Sequence, residues 1–345
     1  MFLQAYEFLL PQPQSLFRLL RLLLQSRRLV HRQIKLRNCS TLSFHTLDLL
    51  QHICGMPTHV TSHISNDFHK EYVIGAMRAG KAAISEKPVT LSSADLQDMI
   101  DVSRETGKLF TVHQNRRWDV DFLAMKQLAE SDEIGEPIRI ESRIHGSRGI
   151  PSDWRGIKQY GGGMLYDWGI HLIDQALMVL GWDVDTVNCR FDNITNTEVD
   201  DGFHLDLYFE DDVTARIEVG TSNFISLPRF YMRAQNGSAI ITDWRVPAHV
   251  VKCKAWHESD VIPVQTAAGL TKTMAPRDEK SITEKSIPQP AADVHDFYRN
   301  VCRAIDGTEP QLVTHGELMR VMRVMEAAFE SDRLGGAPVT FEDTL

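Results

Sequence analysis

The sequence predicts an α/β protein in two parts, a parallel α/β sheet followed by an α+β region built on a mainly antiparallel sheet. Over residues 67–112, two helix-like segments alternate with two short apolar runs, and a glycine (Gly80 or Gly107) closes each helix. Alternation at this spacing is typical of a parallel sheet. After residue 200, apolar residues recur at every second position, which is the period of a half-buried strand.

Local signals place the individual elements. Ser92 opens the second helix, and Thr314 with Glu317 forms a capping box at the start of the last one. Hairpin turns are expected at Asp211-Asp212 and at Asn236-Gly237, a strong short turn signal. Residues 245–290 are polar and are expected to be an irregular excursion between strands. The predicted helices span 67–78, 92–106, 291–306 and 314–332, and the predicted strands span 81–85, 109–112, 203–209, 214–219, 230–234 and 238–242.

The composition is that of an ordinary soluble globular protein, with 43% hydrophobic and 24% charged residues. A formal net charge of −9 argues against nucleic acid or an acidic membrane surface as the main partner. Five scattered cysteines without a C-x-x-C pair indicate reduced thiols rather than a disulfide framework or a zinc site. No apolar run approaches the roughly 18 residues that a membrane span needs. We therefore expect a cytoplasmic protein without a metal centre.

The first part of the chain differs from the rest. Residues 1–66 contain seven Lys or Arg residues but two acids, and they have no glycine before Gly55. Residues 16–36 read as a basic, leucine-rich helix. Three interpretations are open: an organelle transit peptide, an amphipathic helix lying on a membrane or partner, or an altered segment that replaces a normal domain start.

A glycine-rich stretch that begins at Gly161 precedes two candidate catalytic residues. It leads into an apolar, helix-like segment with Asp167 and His171 four residues apart, so both are expected to reach one small molecule from the same helix face. The glycines would let the backbone approach that molecule closely. The imidazole suits acid–base work near neutral pH. The carboxylate, kept ionised by the helix N-terminus, would orient the imidazole or bind a second hydroxyl. The alternative is a capping aspartate and a core histidine.

Lys87 is a candidate to supply a positive charge at the same site. It lies between a predicted strand and Pro88, which disfavours helical geometry in the preceding residue. Ligands of parallel α/β sheets bind at the carboxyl ends of the strands, where a desolvated lysine can hydrogen-bond a hydroxyl. The alternative is a surface lysine before a turn. Carboxylate, imidazole and ammonium together would move a proton on and off a hydroxyl, whereas Asp174 is expected to be structural.

Three motifs resemble the Gfo/Idh/MocA family of NAD(P)-dependent oxidoreductases, from about residue 64 to the end of the chain. They are Glu86-Lys87-Pro88, the run at 113–119 (HQNRRWD), and the glycine-rich stretch that closes on Asp167 and His171. The run at 115–119 and the sequence at 171–175 (HLIDQ) are most similar to the scyllo-inositol dehydrogenase-like branch. The resemblance implies a Rossmann-like nucleotide-binding domain over 1–115, atypical over 1–60. It also implies a substrate-binding and oligomerisation domain over 116–345 with an open sheet.

The same resemblance implies roles for single residues. Lys87 would lie near nicotinamide and substrate, His171 would take the hydroxyl proton as hydride leaves the carbon, and Asp167 would help to hold the sugar or polyol. The residues implied at NAD or NADP are Asn66, His69, Glu86, Lys87 and Gln114. The residues implied at the substrate are Asn115, Arg116, Trp154, Arg155, Asp167 and His171. Family members of this kind also form dimers or tetramers through the C-terminal sheet.

One departure from the family pattern concerns the dinucleotide. Residues 1–60 lack the G-x-G-x-x-G fingerprint that admits a pyrophosphate, and they lack the acidic residue about 20 positions later. We favour a frame-shifted or disrupted coding segment as the hypothesis, and peptide mapping of these residues in native protein would test it. Three functions are therefore weighed: an NAD(P)-dependent dehydrogenase, a cofactor-binding-defective member that binds sugar, and a structural or oligomerising protein.

Overall fold

The computed structural model describes residues 59–62, 66–254, 262–272, 275 and 277–340. The basic segment over 16–36 and the rest of residues 1–58 lie outside the described residues. The strands are β1 His59–Ser62, β2 Ala82–Ser85, β3 Phe110–Val112, β4 Pro137–His145, β5 Val184–Asp192, β6 Gly202–Phe209, β7 Thr214–Gly220, β8 Phe230–Ala234, β9 Gly237–Ile241, β10 Ala248–Cys253, β11 Val264–Thr266, β12 Gly269–Thr271, β13 Ile282–Ile287 and β14 Val339–Thr340. The α-helices are α1 His69–Arg78, α2 Ser93–Thr106, α3 Val120–Ala129, α4 Ile170–Leu180, α5 His295–Ile305 and α6 His315–Arg333.

The first sheet is parallel, in the order β1-β2-β3. All residues of β2 and β3 are buried, as strands covered on both faces require. The helices before β2 and β3 end as expected, because Gly80 and Gly107 have φ values of 77° and 62°, which favour glycine. Ser92 accepts the backbone N–H of Asp95 at 3.2 Å and so caps α2. The prediction of an alternating parallel unit is confirmed.

The second sheet has the order β13-β10-β9-β8-β4-β7-β6-β5-β14 and is antiparallel apart from the parallel pair β4–β7. Both predicted hairpins are present. The turn at Asp211-Asp212 has a left-handed backbone, with φ values of 57° and 59°. In the other hairpin Ala234 pairs with Gly237, so the connection is Gln235-Asn236, one residue earlier than predicted.

The prediction of an irregular excursion over 245–290 is wrong. This part of the chain contains β10 and β13, which extend one edge of the large sheet, and the small hairpin β11–β12. In β10 the buried Ala248 and Val250 alternate with the exposed His249, a pattern too short to stand out. The outermost strand β13 is polar because charged side chains are favoured on a sheet edge.

Two helices connect the large sheet with the parallel one. Residues 170–177 of α4 are all buried. The last helix, α6, contacts β5, α4 and α2, so the end of the chain returns to the first sheet. His315 of α6 lies 2.8 Å from the carbonyl oxygen of Phe110. The predicted capping box of Thr314 and Glu317 is present. In the part of the chain that the structure describes, no helix is both long and apolar enough to cross a membrane.

Candidate active site

The candidate site lies where the parallel sheet meets the segment that leads into α4. Lys87 follows β2, and Asp167 lies in a π-helical turn, Leu165–Gly169, immediately before α4. The ammonium of Lys87 donates at 2.7 Å to the Asp167 carboxylate (Oδ1) and at 2.7 Å to its main-chain oxygen. Both side chains are largely buried. The structure therefore brings together two of the three groups that the sequence associates with proton transfer.

The Asp167 carboxylate contacts two cations rather than His171. Asp167 belongs to a π-helical turn and His171 to the α-helix after it, and that both reach one small molecule from the same face stays a prediction. The second carboxylate oxygen of Asp167 accepts Arg155 Nε–H at 2.8 Å. Asp167 is thus held between Lys87 and Arg155 and does not orient the imidazole.

The glycines at 161–163 make close contacts within the protein, and their predicted approach to a ligand stays a prediction. A Cβ on Gly162 would lie 2.4 Å from the main-chain oxygen of Arg155, and one on Gly163 would lie 2.1 Å from Asp200 Oδ1. The N–H of Gly163 donates to that same Arg155 oxygen at 2.8 Å. The glycines therefore let the backbone approach other parts of the protein, and this contact holds Arg155 next to Asp167.

The charges of the site set its protonation. Burial raises the pKa of Asp167, but Lys87 and Arg155 outweigh it and hold the pKa below its ordinary value. These cations keep the carboxylate ionised, and Asp167 also lies in the first turn of its helical segment, as predicted. Burial, together with the charges of Arg155 and Arg116, lowers the pKa of Lys87 although Asp167 raises it. Burial and the charges of three neighbours hold the pKa of His171 well below 6.5, and these neighbours are Lys87, Arg116 and His113.

His171 is the free group of the site. Its side chain is buried, and its ring lies edge-on to Trp168 with ring centroids 6.2 Å apart. Among the described residues, none forms a hydrogen bond with its ring nitrogens. A neutral imidazole without a protein partner is suited to accept a proton from a bound ligand.

Two of the residues expected at the cofactor pack against the protein. The Asn66 side-chain amide donates to the main-chain oxygen of Tyr160 at 3.0 Å, and the ring of His69 donates through Nδ1 to that of Pro88 at 2.8 Å. These contacts fix the backbone directly after Lys87, at Pro88, and directly before the glycine-rich stretch, at Tyr160. Asn66 and His69 thus lie next to the site, and their binding role stays a prediction.

The residues after β2 and β3 lie next to each other. His113 Nδ1–H donates to Glu86 Oε1 at 3.2 Å, and its ring packs against Phe297 and Tyr298 with centroid distances of 5.0 and 5.2 Å. Gln114 is buried, and among the described residues neither polar atom of its amide has a hydrogen-bond partner, nor does Nε2 of His113. Buried amides are usually paired, so these atoms are available to a ligand.

The residues expected at the substrate differ in whether they contact the other groups of the site. Arg155 contacts Asp167, and its guanidinium carbon lies 4.6 Å from the ring centroid of Trp154. Arg116 stacks on Trp168, with its guanidinium carbon 4.0 Å from the ring centroid. In the described contacts, neither Asn115 nor Trp154 hydrogen-bonds to Lys87, Asp167 or His171.

Sequence reasoning missed Trp244 and the part played by His113. Trp244 lies 5.9 Å from Trp168 between ring centroids, although it stands between two predicted elements, directly before the region expected to be irregular. A lone tryptophan between two strands has no periodic signal. His113 stands inside the recognised run at 113–119, and its place directly after a buried strand could have indicated it. Across the described residues, no group of three or more His, Cys, Asp or Glu side chains is placed to hold a metal ion.

Comparison with known proteins assigns both parts of the chain. A family model for an oxidoreductase family with an NAD-binding Rossmann fold matches residues 27–114, and the model of the GFO/IDH/MocA C-terminal domain matches residues 122–240. Together they span more than half of the chain. The first match begins at residue 27, further toward the N-terminus than the motif resemblance that begins near residue 64.

Individual proteins show the same similarity. The scyllo-inositol 2-dehydrogenase (NADP(+)) IolW of Bacillus subtilis is 28% identical over 77% of this chain and 74% of its own length. An uncharacterized oxidoreductase of Schizosaccharomyces pombe, C26H5.09c, is 34% identical over 41% of this chain, and the alignment spans 39% of that protein. The crystal structure of an NAD-binding protein from Listeria innocua superposes with a TM-score of 0.81 at 40% identity, covering 87% of this chain and 85% of that one.

Proposed function

Because this chain belongs to the Gfo/Idh/MocA family of oxidoreductases, we propose that it oxidises a secondary hydroxyl of a sugar or cyclitol with NAD or NADP. One observation carries the proposal. Lys87, after a strand of the parallel sheet, and the unpartnered His171, in a helix of the second part, lie within electrostatic reach of each other. A cation and a neutral base are thus available to one hydroxyl.

His171 takes the proton of the reacting hydroxyl in this proposal. Its low pKa keeps the imidazole neutral at neutral pH, so it is ready to act as a general base. The ammonium of Lys87 has three N–H donors, and Asp167 accepts two of them, at its carboxylate and at its main-chain oxygen. The third donor is available to the substrate oxygen, where it would stabilise negative charge as the proton leaves.

The residues at the ends of β2 and β3 fit a nicotinamide dinucleotide. In the part of the chain that the structure describes, the buried Gln114 amide has an unpaired donor and an unpaired acceptor, which suit a ligand with a carboxamide or ribose hydroxyls. We propose that Gln114, Glu86 and Lys87 hold the nicotinamide end, with Asn66 and His69 beside it. When bound, the nicotinamide accepts the hydride from the carbinol carbon, so that the alcohol becomes a ketone.

The substrate class rests on relatives. IolW acts, by its name, on scyllo-inositol with NADP(+), which supports a cyclitol here. A second candidate is a cofactor-binding-defective member that serves as a sugar-binding or structural protein. The absence of G-x-G-x-x-G from residues 1–60 favours it.

Cofactor binding separates the two candidates. We expect NADH or NADPH at up to millimolar concentration to raise the melting temperature and to change nucleotide fluorescence. Turnover would then be measured with inositols and aldoses. If neither nucleotide produces a shift, the dehydrogenase function is excluded for this polypeptide.

Substitutions of the two proton-handling residues test their roles. We expect Lys87→Ala and His171→Ala to lower kcat by roughly 10²–10⁴-fold, because each removes a group that acts on the proton in the transition state. Nucleotide affinity, measured by fluorescence, should change far less. His249→Ala is the matched control, since His249 lies exposed on β10. Turnover like that of the wild type in both variants would refute the assignment.

A further inference from the structure

A stack of alternating aromatic rings and guanidinium groups leads from the core to His171. The guanidinium carbon of Arg229 lies 3.9 Å from the ring centroid of Phe230 and 4.8 Å from that of Trp244. The guanidinium carbon of Arg116 lies 5.6 Å from the centroid of Trp244 and 4.0 Å from that of Trp168. We call this the cation–π stack; its members are Phe230, Arg229, Trp244, Arg116 and Trp168.

The inner end of the cation–π stack is rigidly anchored. Arg229 is 3% exposed, and its Nε lies 3.1 Å from Asp121 Oδ2. Its Nη2 donates to Gln175 Oε1 at 3.2 Å, and the amide nitrogen of Gln175 donates in turn to the main-chain oxygen of Arg116 at 2.9 Å. The buried network therefore fixes both the base of the stack and the backbone of Arg116.

Trp244 is held by its backbone as well. The side-chain amide of Gln289 donates to the main-chain oxygen of Trp244 at 2.7 Å and to that of Val246 at 3.2 Å. The loop between β9 and β10 is thus tied to the chain beyond β13. The indole of Trp244 is thereby held next to Arg116.

Arg116 is a partly exposed member of the cation–π stack with unused hydrogen-bond donors. Its Nη1 donates to Asp119 at 3.0 Å, and the side chain is 30% exposed. Among the described residues, none accepts from its Nε or Nη2. The charge of Arg116 lowers the pKa of both Lys87 and His171, so its guanidinium lies beside the groups proposed to handle the proton.

We propose that Trp168 and Trp244 clamp Arg116 as a fixed two-donor fork that binds two adjacent oxygen atoms of the substrate beside His171. The Nε and Nη2 edge of a guanidinium presents two parallel N–H groups, which match such a pair of oxygens. The pair is either a vicinal diol of a neutral ring or a carboxylate next to the carbinol. This inference rests on the proposed function and adds Trp244 as a positioning residue.

The clamp has a physical purpose. A free arginine side chain has many rotamers, and ordering it on binding weakens affinity. Stacking between two indoles orders the guanidinium beforehand through cation–π attraction. Replacing Trp244 should therefore weaken substrate binding even though the indole itself does not have to touch the substrate.

The test compares Trp244→Ala, Trp244→Phe and Arg116→Lys with wild type. We expect Trp244→Ala to raise KM roughly tenfold, as the loss of one ordered hydrogen-bonding group does, and Trp244→Phe to restore most of the affinity. Arg116→Lys keeps the charge but lacks the fork, so it should raise KM at least as much. The dissociation constant of NADH or NADPH should stay within threefold of wild type in all three variants. Trp182→Phe, two residues after the end of α4, is the control.

Two probes distinguish the oxygen pairs, and direct binding supports the kinetics. KM and calorimetric affinity would be measured with scyllo-inositol, a neutral vicinal diol, and with D-glucuronate, an acid. If Arg116→Lys loses affinity for only one of the two probes, this result supports the fork and identifies the oxygen pair that it binds. Unchanged affinity for both probes in Trp244→Ala and Arg116→Lys, in an enzyme that binds nucleotide, overturns this inference alone. Wild-type protein that binds no nucleotide overturns the proposed function and this inference with it.

Discussion

At the scale of single residues, charge rather than sequence spacing determines what each group does. One carboxylate oxygen of Asp167 accepts a hydrogen bond from Lys87 and the other accepts one from Arg155, so Asp167 holds these two cations in place. His171 remains without a partner among the described residues and is kept neutral by burial and by nearby positive charge. The two groups therefore differ: the Asp167 carboxylate is fixed by two cations, whereas the His171 imidazole is left for a ligand.

The pH dependence of turnover should report the charge around His171. Because its pKa lies well below 6.5, we expect the acidic limb of the kcat/KM profile to lie below that pH, with the active, neutral form above it. Lys87, Arg116 and His113 are the charges that depress this pKa. Arg116→Gln removes one of them, so the pKa of His171 should rise and the acidic limb should move to higher pH.

The profile would be measured over pH 4.5–8 for wild type and for Arg116→Gln. Arg139→Gln is the control, because Arg139 lies on β4 and pairs with Glu141 in the sheet. A limb that stays in place, or that moves to lower pH, contradicts the electrostatic role of Arg116 at His171.

At the scale of elements, the turn before α4 decides where Asp167 and His171 lie. Asp200 accepts the backbone N–H of Leu165 at 2.8 Å, and its main-chain oxygen accepts that of Met164 at 3.1 Å. Burial raises the pKa of Asp200 to about 8. Gly163, with φ of 112°, leaves room for this carboxyl group. The π-helical turn is thus stabilised by long-range contacts to the loop before β6.

Gly163→Ala should disrupt this turn. A Cβ would lie 2.1 Å from Asp200 Oδ1, and the left-handed backbone adds about 1–2 kcal/mol of strain for a residue other than glycine. We expect the free energy of unfolding, measured in urea, to fall by about 2 kcal/mol or more, and turnover to fall with it. Gly146→Ala is the control, because no atom lies within 4 Å of the added Cβ and its φ is not positive. Equal effects of the two substitutions would rule out this explanation.

At the scale of the whole molecule, the two sheets are held together by a buried arginine. Arg117 donates to both carboxylate oxygens of Asp174 at 2.8 and 2.6 Å, and to Glu317 at 3.2 Å. It therefore joins the turn after β3 to α4 and α6. The sequence-based expectation that Asp174 is structural agrees with this contact. The expected dimer or tetramer through the large sheet stays a prediction.

Arg117→Met should destabilise the fold as a unit. It leaves Asp174, 2% exposed, buried without its cation, and breaking a buried pair on one side costs about 3–5 kcal/mol. The measurement is the free energy of unfolding from a urea titration. Arg299→Met is the matched control, since Arg299 pairs with Asp293 at the surface and exposed pairs contribute about 0–1 kcal/mol. A loss no larger than that of the control would mean that Arg117 does not hold the sheets together.

Interactions between near neighbours in the chain were predictable. The cap at Ser92, the helix ends at Gly80 and Gly107 and the capping box at Thr314 each involve residues a few positions apart. The two β-hairpins likewise follow from adjacent segments, although the Asn236-Gly237 signal was displaced by one residue. The polar strand β13 was missed because an edge strand lacks the apolar alternation on which the prediction depends.

By itself, the sequence determined the family, the alternation of helices and strands over residues 67–112, and the identity of Lys87 and His171 as candidates. Tertiary structure alone decided that Asp167 pairs with Lys87 and Arg155, that the glycines make room for protein atoms, and that Trp244 reaches Arg116. The reason is distance along the chain. Capping and turn bonds close within a few residues and can be read locally, whereas Lys87 and Asp167 lie 80 residues apart and meet because two sheets pack together.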